Sequence, residues 1–252
     1  MQLGLVTYQW GADWDLPTLI KNCQQTGFRG VELRTTHQHG VEPTLNAAQR
    51  KEVAKRFADS QVELVGLGTV CEYHSPDPSE LKKNIEETKA FIRLCHDVGG
   101  SGVKVRPNGL PAGVPVAKTL EQIGRALDEV AAFGEGYGVE IRLEIHGRDT
   151  SAIPNIRKIM DVSKRPGSKL CWNCNGEDTA GAGLAANFQS VQERLGTVHI
   201  HDLISSYPWR ELFDLLKKAN FRGWTLLEEG SPTSDPLRVM QYYRLLWETM
   251  AT

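Results

Sequence analysis

Four polar side chains, Glu144, Asn173, His199 and Glu228, each close a short run of β-forming residues. Two carboxylates, an imidazole and an amide oxygen form a donor set suited to a hard-to-borderline divalent ion. The same residue types also serve metal-free proton transfer, one carboxylate removing a proton and another returning it. Both chemistries require the four groups to converge, so the question passes to the elements that carry them.

Strand-like runs fall at residues 3–8, 30–34, 63–67, 102–106, 139–145, 169–173, 198–201 and 224–228, with helical patterns between them. Leu16, Leu19, Ile20 and Cys23 share a helical face that stops at Gly27, with Pro17 in the first turn, where its missing N–H costs nothing. Leu81, Ile85, Phe91, Ile92 and Cys95 stop at Gly99-Gly100; Leu120, Ile123, Leu127 and Val130 stop near Gly134 and Gly138; Leu212, Phe213 and Leu216 stop at Asn220. A last helix is expected over 237–249. Strand–helix alternation argues for a parallel α/β fold. Eight units in 252 residues predict one closed (β/α)8 TIM barrel as a single domain over residues 1–252.

Strand parity says more than strand existence, because alternate residues face opposite sides. Val139, Ile141, Leu143 and Ile145 share one face of the fifth strand, and Glu140, Arg142, Glu144 and His146 the other. Val103 and Val105 oppose Lys104 and Arg106; Val31 and Leu33 oppose Glu32 and Arg34; Val198 and Ile200 oppose His199 and His201. The apolar face meets the helices, so the polar face fills the lumen. Buried ionised groups need partners, and Glu140 with Lys104 is the expected pair deep in the barrel. Residues at the C-terminal strand ends are different, since active sites of these barrels lie there. On that ground Glu144, Asn173, His199 and Glu228 are expected to converge, as a metal site or as a metal-free proton-transfer site.

Bulk properties narrow the function classes. With 24% charged residues and a net charge of −2, the chain lacks the basic surplus of a general nucleic-acid binder. Five cysteines, odd in number and irregular in spacing, argue against a disulfide framework and for a reducing, cytoplasmic setting. No signal-peptide pattern or membrane-length apolar run is seen. Cys171-x-x-Cys174 falls at a strand end rather than at a helix N-terminus, which disfavours redox chemistry. Oligomeric state is left open, a homo-oligomer included.

Several strings resemble the sugar phosphate isomerase/epimerase family of xylose-isomerase-like TIM barrels. Gly27-Phe28-Arg29-Gly30-Val31-Glu32-Leu33 resembles its second strand, and Leu143-Glu144-Ile145-His146-Gly147 its fifth. Val198-His199-Ile200-His201-Asp202 resembles its seventh, and Phe221-Arg222-Gly223-Trp224 through Glu228 its eighth. The resemblance implies a divalent ion (Mn, Zn, Co or Mg) on Glu144, His199 and Glu228 with Asn173 in the fourth ligand place, a small sugar substrate, and proton transfer next to a carbonyl through an enediolate, with Glu144 and Glu228 as the proton carriers and His146, Lys104, Arg106, Glu32 and His201 as substrate contacts. It implies two further readings on the same barrel: a lyase or hydrolase of 3-keto-glycosides, and a metal-depleted sugar-binding protein. One departure stands out. Where the family carries Asp at the end of the sixth strand this chain has Asn173, which offers a carbonyl oxygen without charge. No Gly-rich phosphate loop stands out, which favours a neutral sugar over a sugar phosphate.

Overall fold

The computed structural model describes residues 1–251. Eight parallel strands close into one barrel in sequence order: β1 (Gln2–Val6), β2 (Gly30–Arg34), β3 (Glu63–Glu72), β4 (Gly102–Arg106), β5 (Glu140–Glu144), β6 (Ser168–Trp172), β7 (Leu195–Ile200) and β8 (Trp224–Leu227). Closure is made by β1 against β8, with Gln2 opposite Trp224 and Leu5 opposite Leu227. Around the barrel run α1 (Leu16–Thr26), α2 (Ala47–Ala58), α3 (Pro78–Asp97), α4 (Val116–Glu135), α5 (Ile153–Val162), α6 (Leu184–Gln189), α7 (Trp209–Lys218) and α8 (Pro236–Ala251). Among the described residues, no helix is long and apolar enough to cross a membrane.

The expected barrel and helix stops are present. Asp15 caps α1 by accepting from the Thr18 amide, and Gly27 ends it in the left-handed region at φ 78°. Helices α2, α5 and α6 escape the periodic pattern; α2 buries only Val53 and Phe57, too few apolar positions to announce a face. The main difference is β3, which runs five residues past the expected Leu67 to Glu72. A register shift between Gly68 and Glu72 lifts it beyond the rim, where Glu72 pairs with Arg106.

Two apolar layers result from strand parity. Outward residues such as Val31, Leu33, Val103, Val105, Ile141 and Leu143 join the helices in the main core. A small separate cluster, Val6, Val65, Trp224 and Leu226, plugs the lumen. Polar groups share the lumen with it, and Arg142 is the largest. Its guanidinium donates to the Val65 carbonyl (2.9 Å), to Ser101 Oγ (3.0 Å) and to Glu140 Oε2 (3.1 Å). The ion pairing therefore differs from expectation: Glu140 pairs with Arg142, and Lys104, level with Arg142 in the register, extends to Glu144 instead.

Glycines make room for that guanidinium. A Cβ at Gly102 would fall 2.4 Å from Arg142 Cζ, and one at Gly66 3.2 Å from its Nη1. Because hydrogen bonds fix the guanidinium, it cannot swing away cheaply. Gly102→Ala is expected to destabilise the fold by about 1–3 kcal/mol, the usual cost of overpacking. Urea denaturation checks this, and an unchanged midpoint would show that Arg142 is not a packed part of the lumen.

Candidate metal centre

The expected ligands meet at the C-terminal ends of β5, β6, β7 and β8. His199 is the centre of the cluster and is fully buried. Its Nδ1 lies 3.5 Å from Glu144 Oε1 and 3.4 Å from Glu228 Oε2. One ligand atom each from Glu144, His199 and Glu228 lies within 4.8 Å of the others. Asn173, just past the end of β6, is buried, and its Oδ1 has no hydrogen-bond partner. Both His199 ring nitrogens likewise lack a hydrogen bond. Orphaned buried polar atoms are costly, and Asn173 Oδ1 and His199 Nδ1 are metal-ligand atom types. The donor set fits a divalent ion.

Charge balance points the same way. Glu144 Oε2 accepts from Lys104 Nζ at 2.8 Å, inside the barrel. Glu32, also buried, places Oε1 3.3 Å from His199 Nε2, on the side of the ring away from the other two carboxylates. Three carboxylates against one ammonium leave two negative charges, which a divalent ion would neutralise. Without an ion, His199 answers that field. Burial opposes its protonation, but Cys171, Glu32 and Glu228 outweigh burial and raise its pKa well above the usual value. Burial also opposes ionisation of Glu144, but the Lys104 ammonium and His199 overcome it and hold the carboxyl below the usual range. Glu228 is lowered in the same way, with His199 acting against burial.

The two glutamates are not equivalent. Glu144 is 3% exposed and committed to Lys104, whereas Glu228 is 15% exposed and opens toward the mouth. Glu228 sits one residue past the β8 ladder, its amide still donating to the Ile200 carbonyl at 2.9 Å. His201 fastens this rim. Its Nδ1 lies 2.9 Å from the Glu228 carbonyl oxygen and its Nε2 2.7 Å from that of Asn173. The Tyr243 hydroxyl of α8 donates to the His201 carbonyl at 2.6 Å. The residue expected to touch substrate thus has both ring nitrogens against the backbone carbonyls of Asn173 and Glu228.

Other expected contacts are distributed around the mouth. Asn108 Oδ1 accepts from His146 Nδ1 at 2.9 Å, which leaves Nε2 free to accept. Asn108 and Arg106 both donate to Glu72 Oε1, at 2.6 and 2.5 Å. Arg106 is therefore paired, and Lys104 is spent on Glu144. Glu72 and Asn108 lie beyond the expected strand ends and were invisible to strand parity. His39 is buried in a turn, its Nε2 on the Arg34 carbonyl and its Nδ1 accepting from the Val41 amide. Trp10 is core, donating from Nε1 to the Ser231 carbonyl. Burial raises the thiol pKa of Cys171 and Cys174, the reverse of a reactive thiolate.

Comparison with known proteins agrees with this architecture. An inosose isomerase from Bacillus velezensis is 19% identical over 186 residues, covering 73% of this chain and 66% of that protein. An L-ribulose 3-epimerase superposes with a TM-score of 0.84 at 17% identity, over 100% of this chain and 95% of the other. The IOLI protein, solved with a zinc atom bound, superposes with a TM-score of 0.83 at 15% identity, over 98% and 97%. At such identities the structural likeness is one of fold. The match to the xylose isomerase-like TIM barrel family runs over residues 20–244, and the chain belongs to that family.

Proposed function

We propose that the protein is a divalent-metal-dependent isomerase or epimerase of a ketose or related sugar. The observation that carries this reading is the convergence of Glu144, His199 and Glu228 beside the unpartnered Asn173 oxygen. The sugar-converting relatives and the zinc-bound neighbour support it. A divalent ion held by these four residues supplies Lewis-acid polarisation of a substrate carbonyl and its adjacent hydroxyl.

The chain's own residues do the rest. Glu228, at the open side, takes the proton from the carbon next to the carbonyl. The C–H electron pair moves into the enediolate, and the carboxylate becomes a carboxylic acid. Return of a proton to the same carbon from the opposite face inverts that centre: Glu144 delivers it, drawing it from the Lys104 ammonium to which it is hydrogen-bonded, while Glu228 gives up its proton to solvent and solvent reprotonates Lys104; return to the neighbouring carbon, with the hydroxyl proton passing between the two oxygens, isomerises the sugar. His146 Nε2 accepts from a substrate hydroxyl. Glu32 holds the Nε2–H tautomer of His199, which keeps Nδ1 as the ligand atom. His201 keeps Asn173 and Glu228 in register.

Glu144→Gln and Glu228→Gln are each expected to lower turnover by at least about 10²-fold, the lower range for a general base. Only Glu144→Gln should also cost stability, about 3–5 kcal/mol, because it strands the buried Lys104 ammonium. Assays of ketohexose interconversion with thermal melts read both effects. Near-native turnover in either variant, on a verified substrate, refutes the paired-glutamate mechanism.

Asn173→Asp adds a negative charge at the fourth ligand position. At the effective dielectric of partly buried sites this amounts to a few kcal/mol, and each ~1.4 kcal/mol is tenfold in affinity. Calorimetric titration with Mn²⁺ and Zn²⁺ is expected to show clearly tighter binding to Asn173→Asp. Equal affinities would place Asn173 away from the ion.

A further inference from the structure

The proposed chemistry leaves Arg34, at the mouth, unused. Lys104 is paired with Glu144, Arg106 with Glu72, and Arg142 with Glu140. Arg34 closes β2 on the same face as Glu32, and none of the described carboxylates forms an ion pair with it. Two residues along a strand is about 6.6 Å, so Arg34 stands one layer above the carboxylate that meets His199. Its backbone is fixed on both sides: the amide donates to Thr7 Oγ1 at 2.8 Å, and the carbonyl oxygen lies 2.8 Å from His39 Nε2. Its guanidinium carbon lies 4.6 Å from the centre of the Tyr8 ring. Tyr8 in turn borders Gly230, just past Glu228, since a Cβ at Gly230 would come 3.9 Å from Tyr8 Cε1. His37, close enough to Arg34 to feel its charge, has a buried Nδ1 without a partner.

A guanidinium resting on an aromatic face keeps its edge N–H groups free, in a fork that matches an oxyanion. We propose that the substrate carries an oxyanion, carboxylate or phosphate, on the end of its carbon chain remote from the carbonyl, and that Arg34, backed by Tyr8, receives it. This rests on the metal-centre reading above. It departs from the neutral sugar that the absence of a Gly-rich loop favours, because one planar guanidinium binds an oxyanion without such a loop.

Three probes with the same keto group and different C6 substituents test it: D-fructuronate, D-fructose 6-phosphate and D-fructose. Each is titrated calorimetrically into the Mn²⁺-loaded protein and into its Arg34→Gln variant. At least one acidic probe is expected to bind at least about tenfold tighter than D-fructose, as one charge-assisted forked contact allows. Arg34→Gln should abolish that advantage while leaving Mn²⁺ affinity and the melting temperature unchanged. Which acid gains identifies carboxylate or phosphate. The proposal is overturned if D-fructose binds as well as both acids, if neither acid binds, or if the preference survives in Arg34→Gln. Mn²⁺ titration of the sugar-free protein judges the metal-centre reading separately, so the two failures are distinguishable.

Discussion

The structure turns on the hydrogen-bonded ion pair between Lys104 and Glu144, buried in the lumen. Removing one partner of such a pair strands a charge in low dielectric, at a cost of several kcal/mol. Each charged side chain below the mouth therefore needs a counter-charge or a hydrogen bond. Arg142 meets this through the Val65 carbonyl, Ser101 and Glu140, and glycines on β3 and β4 leave the space its guanidinium fills. The apolar plug of Val6, Val65, Trp224 and Leu226 is correspondingly small. Cohesion of the lumen is electrostatic around that plug, and that of the outer shell is apolar.

Parity made much of the site legible before any coordinates. Glu144, Asn173, His199 and Glu228 each sit on the inward face at a strand end, adjacent strands of a closed barrel bring such positions together, and Glu144, His199 and Glu228 do lie within reach of one another. Contacts across the lumen were not legible. Glu32 on β2 and His199 on β7 are far apart in strand order, and their approach depends on barrel diameter and stagger rather than on any local pattern. The Lys104 partner was misread for a related reason. Register places Lys104 beside Arg142, and only the direction of its long side chain decides between Glu140 below and Glu144 above. Glu72 escaped because an irregular register carries β3 past the rim.

His201 shows how a residue type can suggest the wrong role. An inward histidine near a metal centre reads as a substrate contact, yet its ring nitrogens face the Asn173 and Glu228 carbonyl oxygens. The ends of parallel strands present carbonyls that no ladder satisfies, and a side chain that bridges two of them fixes their spacing. Here the spacing is that between two of the proposed ligand positions, Asn173 and Glu228. The Tyr243 hydroxyl extends the same constraint to α8, so the rim of β6–β8 is held from outside as well as within.

The neutral Asn173 is easier to understand in this electrostatic setting. A ligand set with two carboxylates gives up charge next to the ion, but the buried neighbourhood still carries a third carboxylate, Glu32, behind the His199 ring. A carboxylate in that place orients the imidazole and makes its far nitrogen a better donor to a cation. It acts through the ring, so it compensates only in part for a carboxylate in direct contact. Lys104 works in the opposite sense by withdrawing one Glu144 oxygen. On the proposed reading, the bound ion is therefore less neutralised by its ligands and polarises a carbonyl more strongly, in return for weaker retention. Negative charge is displaced from the ligand sphere to the wall behind it, and the lumen can hold it there because Lys104 already supplies a cation on the Glu144 side.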